Sequence, residues 1–219
     1  MHAYATQLIN FLAAVLLMLS FAMLSQRRIL SLIHLYTLQG VALVSANLIL
    51  GFVTDDVHLY VSAGLTLVLK VGVIPWFLYR LVRRLDVKTD VEPLINIPTT
   101  LLIGIVLVIV AFNVAAPISQ LATSVARGTL GIALACVLLS FMAMITRAKA
   151  IPQVIGFLSM ENGLFFAAAA ATNGMPMIVE LGIGLDVLIG ILILGVFMFQ
   201  IREQFDSLDI HHLEKLKDE

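Results

Sequence analysis

Polar residues along this chain are few and clustered, and between the clusters run apolar stretches of the length that a membrane crossing needs. A helix rises about 1.5 Å per residue, so about 20 apolar residues cover the roughly 30 Å hydrocarbon layer. On that measure seven transmembrane helices are predicted, at roughly 6–25, 29–52, 58–80, 97–115, 128–146, 152–172 and 177–200. Arg27-Arg28 ends the first, Asp55-Asp56 separates the second from the third, and Arg83-Arg84 through Glu92 forms the longest loop. Pro117, the Arg147-Ala-Lys149 turn and Asn173-Gly174 are expected to break the rest.

Composition gives the same reading. Of 219 residues, 61% are hydrophobic and 12% charged, where a soluble domain is nearer about a quarter charged. A chain this short forms one core, so the surplus apolar surface must face lipid or partner subunits. The expected fold is an all-α integral membrane protein with a single membrane domain over 1–219. The first apolar stretch reads as a retained helix: its leading flank carries only His2, and Arg27-Arg28 follow where small residues would mark cleavage. The single cysteine, Cys136, cannot form an internal disulfide and reads as a small packing residue. The net charge of -1 identifies no partner, and no basic tract suits nucleic acid.

Placement of charge says more than its sum. Arg27, Arg28, Arg80, Arg83, Arg84, Lys88, Arg147, Lys149, Arg202, Lys215 and Lys217 fall on one side of the predicted topology, and Arg127 on the other. The basic side is expected in the cytoplasm. The N-terminus then lies outside, and the tail from Arg202 to Glu219 is cytoplasmic, either docked or loosely ordered. A parallel repeat of helices 1–3 and 5–7 is also expected. Ser25-Gln-Arg-Arg parallels Thr146-Arg-Ala-Lys, and Leu85-Asp86-Val87 parallels Leu208-Asp209-Ile210. The units are 1–92 and 128–219, joined by a connecting helix within 93–127.

An ionisable side chain at the bilayer centre costs about 2.5–3.5 kcal/mol on insertion scales, so each one needs a reason. Lys70 is central in helix three, Glu161 in helix six and Asp186 in helix seven, while Glu180 sits about a turn inside helix seven. Glu161, in Ser159-Met160-Glu161-Asn162-Gly163, has the surroundings a proton relay uses; its plainer alternative is a hydrogen-bonded packing residue. Asp186 follows Gly182-Ile-Gly184-Leu, small residues that let helices approach and that suit a packing anchor as well as a relay. Lys70 pairs with a carboxylate on this reading, whether Glu161, Asp186 or one on another subunit. Five residues later Pro75 removes a backbone donor and opens carbonyls. His34, an imidazole about a turn into helix two, is a relay candidate but also suits packing, and Gln39 and Asn47 read as interhelical glue. No phosphate loop, metal-ligand cluster or nucleophile beside a base stands in the sequence, and no cofactor is expected in this chain.

Ile155 to Gly163, the span containing Asp186 and the Ser207-Leu208-Asp209-Ile210 ending resemble the small K subunit of respiratory complex I over about the last third of the chain. Over its whole length the chain resembles component E of hydrogenase-4, through the Lys70-to-Pro75 segment, Met160-Glu161-Asn162-Gly163, the run Val179 to Asp186 and the Leu208-Asp209 tail. That family supplies membrane subunits to group 4 [NiFe] hydrogenases and formate hydrogenlyase-like complexes. The resemblance implies a non-catalytic membrane-arm subunit in a prokaryotic inner membrane. Its neighbours would be antiporter-like subunits, with a soluble hydrogenase or formate dehydrogenase arm on the cytoplasmic side and the [NiFe] and Fe-S centres in those partners. It also implies that Glu161 and Asp186 take the places of the K subunit's two membrane glutamates. Aspartate at the second site shortens the reach, and Glu180 competes for that role. Purely structural anchoring and stand-alone ion or solute transport are the alternatives. An intramembrane aspartyl protease lacks a convincing second aspartate.

Overall fold

The computed structural model describes residues 2–55, 57–84, 94–119 and 124–172, with Gly184, Gly190 and Gly195 beyond them. The regular elements are all helical. Helix α1 runs His2–Ser25 and α2 runs Ile29–Thr54. Helix α3 is one rod in three parts: α-helical Val57–Thr66, π-helical Leu67–Val73 and α-helical Ile74–Arg84. Helices α4, α5 and α6 span Ile97–Ser119, Ser124–Ile145 and Ala150–Thr172.

Among the described residues five helices, α1 to α5, are long and apolar enough to cross a membrane. Helix α6 has comparable length, at 23 residues. Its apolar character is diluted by Ser159, Glu161 and Asn162, all of them buried. The seventh predicted segment, 177–200, lies outside the described residues except for its three glycines, each helical. A Cβ at Gly184 would stand 2.9 Å from Leu69, and one at Gly195 would stand 3.3 Å from Phe77. These two glycines therefore seat against α3.

One boundary differs from expectation for an identifiable reason, and another falls where the sequence places it. Pro117 does not end α4, which continues to Ser119; so close to the helix end, the lost N–H costs one hydrogen bond and leaves little helix to disrupt. At the expected Asp55-Asp56 break, Asp55 closes the C-terminus of α2 in the left-handed conformation at φ 56°. Aspartate tolerates that region better than most residues.

Helices α1, α2, α5 and α6 form the centre of the bundle, with α3 against α2 and α4 against α5 and α1. In lipid, helices associate by close packing. The α5–α6 pair shows it: a Cβ on Gly156 would meet the Met144 backbone nitrogen at 3.0 Å, and one on Gly163 the Val137 nitrogen at 3.2 Å. Helix α4 turns Leu102, Ile105, Val106 and Ile109 outward, as a lipid-facing helix must.

The described basic connections gather at one end. Arg147, buried between α5 and α6, donates to Gln26 O at 2.8 Å, Met23 O at 3.0 Å and Leu24 O at 2.8 Å. It thereby caps the carbonyl end of α1, where a cation is also favoured by the helix dipole. Burial pulls its guanidinium below its ordinary range. Leu94 N donates to Thr146 O at 2.9 Å and brings the start of the α4 connection to the same end. Arg147 is thus a structural cap, a role its basic-side position did not distinguish from headgroup contact.

Candidate functional site

Lys70 and Glu161 meet inside the bundle. Lys70 Nζ stands 2.9 Å from Glu161 Oε1, with side chains 7% and 9% exposed. Two local features bring the lysine there. Pro75 offers no N–H to the carbonyl one turn back, and the ladder before it widens, so that Ile74 N–H bonds to Leu69 O, five residues earlier. Gly40 on α2 leaves room for this segment, since a Cβ there would stand 3.0 Å from Val71 Cγ2 and 3.4 Å from Lys70 O. A π-helical segment, rather than a sharp kink, is the consequence of Pro75.

Phe165 lies one turn beyond Glu161 on α6, and its ring centroid is 4.8 Å from Lys70 Nζ. The ring face adds attraction for the ammonium without bringing water. The pair interacts as charges at short range: among the described residues no well-directed hydrogen bond reaches Lys70 Nζ or either Glu161 oxygen. Tyr36 of α2 is fully buried, and its hydroxyl, within electrostatic range of Glu161, also has no hydrogen-bond partner there. Both ends of the Asn162 amide share that condition. Buried polar groups of this kind are ordinarily satisfied by water or a further chain.

The helices are also stitched by small buried polar contacts. Gln39 Nε2 donates to Ser20 Oγ at 3.0 Å, joining α2 to α1. Ser140 and Ser159 Oγ atoms lie 2.7 Å apart, joining α5 to α6. Asn47 Nδ2 donates to Ser62 Oγ at 3.4 Å, joining α2 to α3. Cys136 is buried among packing residues as a free thiol.

Of the residues singled out from the sequence, the structure brings Lys70 and Glu161 together and buries Gln39 and Asn47 between helices. His34 lies on the exposed side of α2, apart from the pair. Asp186 and Glu180 lie outside the described residues. Tyr36 and Arg147 were missed. For Tyr36 a signal existed: Tyr36, Gln39, Gly40, Leu43 and Asn47 recur at helical spacing, and all are buried. For Arg147 no signal did, because its partners are main-chain carbonyls more than a hundred residues away in sequence.

Fold and site together define a membrane-spanning helix bundle with a salt bridge buried near mid-span. The chain is 33% identical over 212 residues to the uncharacterized protein Rv0085 of Mycobacterium tuberculosis, covering 96% of each, and belongs to its family. No family model matches the chain, and no solved structure matches it.

Proposed function

We propose that this chain is a non-catalytic membrane-arm subunit of a redox complex related to membrane-bound hydrogenase and formate hydrogenlyase, and that it contributes buried charge to proton translocation. The observation that carries the reading is the Lys70–Glu161 pair: two opposite charges 2.9 Å apart inside an apolar bundle, the lysine set in a π-helical segment. A carboxylate that exchanges a lysine for a proton is the elementary step of such a path. When Glu161 is protonated the attraction to Lys70 is lost, and the ammonium is released to another acceptor. The resemblance of the Met160-Glu161-Asn162-Gly163 run to hydrogenase-4 component E supports the assignment. Protons are favoured over sodium, because the ammonium beside Glu161 repels a metal cation.

On this proposal the chain crosses the membrane seven times, with the arginine-rich end in the cytoplasm and the N-terminus outside. Equivalent helices of a parallel repeat then pack on each other, as α1 does on α5 and α2 on α6. Redox centres belong to partner subunits on the cytoplasmic side, antiporter-like subunits lie alongside in the membrane, and Asp186 or Glu180 supplies the second carboxylate.

The test is Glu161→Gln in the assembled complex. Retained assembly with loss of redox-coupled proton pumping is expected, and unchanged pumping would sink the proposal. The same geometry also serves a purely structural lock between α3 and α6. That second reading requires Glu161→Gln to impair assembly in place of transport. Affinity purification of the tagged chain in mild detergent tests the partners: redox and antiporter-like subunits should be recovered, and recovery of the chain alone would favour an independent transporter.

A further inference from the structure

The inward face of α3 changes character at Lys70. One row of its buried positions recurs every four residues as Ser62, Thr66, Lys70, Ile74, Leu78 and Val82, flanked by buried Leu59, Ala63 and Pro75. Within that row the positions on the Asp55 side of the lysine, Ser62 and Thr66, bear hydroxyls, and those towards the arginine-rich end are apolar. The two core layers follow the same asymmetry. At the arginine-rich end Ile74, Leu78 and Val82 join Ile29, Ile155 and Leu158 in a closed apolar layer. At the Asp55 end α3 gives only Leu59 to the apolar layer. The seam it forms with α2 carries Asn47, whose amide bonds Ser62 at 3.4 Å.

We infer that water reaches the Lys70–Glu161 pair from the Asp55 end, along the α2–α3 seam lined by Asn47, Ser62 and Thr66, and that the Ile74–Leu78–Val82 layer closes the other side. This names the entry route for the proton proposed above and rests on that reading for its purpose; the geometry of access stands by itself. Hydroxyls one turn apart suit the task because each both donates and accepts, so a short file of water can be handed along them. The carboxyl oxygens and the ammonium at the inner end of the stripe have no well-directed hydrogen bond from the described residues, and they give such water a terminus. An apolar layer several residues deep offers a charge no such partners.

The experiment places single cysteines on that face in a Cys136→Ala background: Ser62→Cys and Thr66→Cys on the polar part, Leu78→Cys on the apolar part. Oriented membrane vesicles are exposed to silver ion from one side, and the remaining free thiol is counted after denaturation with a maleimide dye. Ser62→Cys and Thr66→Cys should react from the Asp55 side at least about tenfold faster than Leu78→Cys from either side, since an apolar barrier of even 1.4 kcal/mol gives that factor. Silence at both polar positions overturns the inference, and so does Leu78→Cys reacting as fast as they do. Serine-to-cysteine is close in volume, and the two polar positions test the seam independently. Labelling along the seam combined with normal pumping in Glu161→Gln would leave access standing and remove the function.

Discussion

The Lys70–Glu161 pair makes a quantitative demand on single and double variants. At 2.9 Å, and with an effective dielectric of about 20, the charges attract by about 6 kcal/mol. Desolvating two ions offsets much of that, so the intact pair adds little net stability compared with an uncharged pair of similar size. Removing one partner is a different matter, because it leaves the other charge buried, at about 3 kcal/mol. Glu161→Gln and Lys70→Met should therefore each lower unfolding free energy by about 3 kcal/mol, and Lys70→Met/Glu161→Gln together by much less than the sum. The assay is reversible unfolding in mixed detergent micelles at fixed composition, with all four proteins compared. If the double variant loses the sum of the two singles to within about 0.5 kcal/mol, the two side chains are uncoupled and the site as described is wrong.

Other substitutions probe the surrounding structure. Pro75→Ala returns the missing N–H and should let the π-helical segment relax towards α-helix, so the coupling between Lys70 and Glu161 in the same cycle should fall; an unchanged coupling would show that the proline does not set the lysine. Arg147→Lys keeps the charge but cannot span the three carbonyls at the end of α1, and a loss of about 2 kcal/mol is expected, read as lowered thermal stability in detergent. Gly156→Ala puts a methyl 3.0 Å from the Met144 nitrogen, and because backbone cannot step aside it should cost about 1–3 kcal/mol in the same measurement. His34→Ala, on the exposed side of α2, should change stability by less than about 0.5 kcal/mol and leave pumping intact; loss of pumping would return His34 to the pathway.

Much of the architecture was legible from residue pattern alone. Apolar runs of crossing length fixed the positions of the first six helices to within a few residues, because in lipid every backbone group must be satisfied within its own segment and hydrophobic length then sets helix length. The α2–α3 turn at Asp55, and Lys70 and Glu161 as charges needing an explanation, were legible for the same reason: polar atoms in an apolar run are costly and therefore conspicuous. Gln39 and Asn47, read from the sequence as interhelical glue, are both buried.

The tertiary structure decided what those residues meet. Lys70 had three candidate partners in the sequence, and only the stacking of α3 across α2 towards α6 selected Glu161, since pairing between distant helices depends on crossing geometry that hydropathy does not encode. The π-helical register around Lys70 depends jointly on Pro75 and on the room left by Gly40, residues 35 apart that the sequence does not connect. Arg147 looked like one more basic loop residue until the fold brought the end of α1 beneath it. The polar-to-apolar change along α3 is written in the sequence as Ser62, Thr66, Lys70, Ile74, Leu78 and Val82, yet it acquires meaning only when packing shows that this stripe faces inward. A membrane helix is apolar on all sides, and its core face becomes visible only when its neighbours are in place.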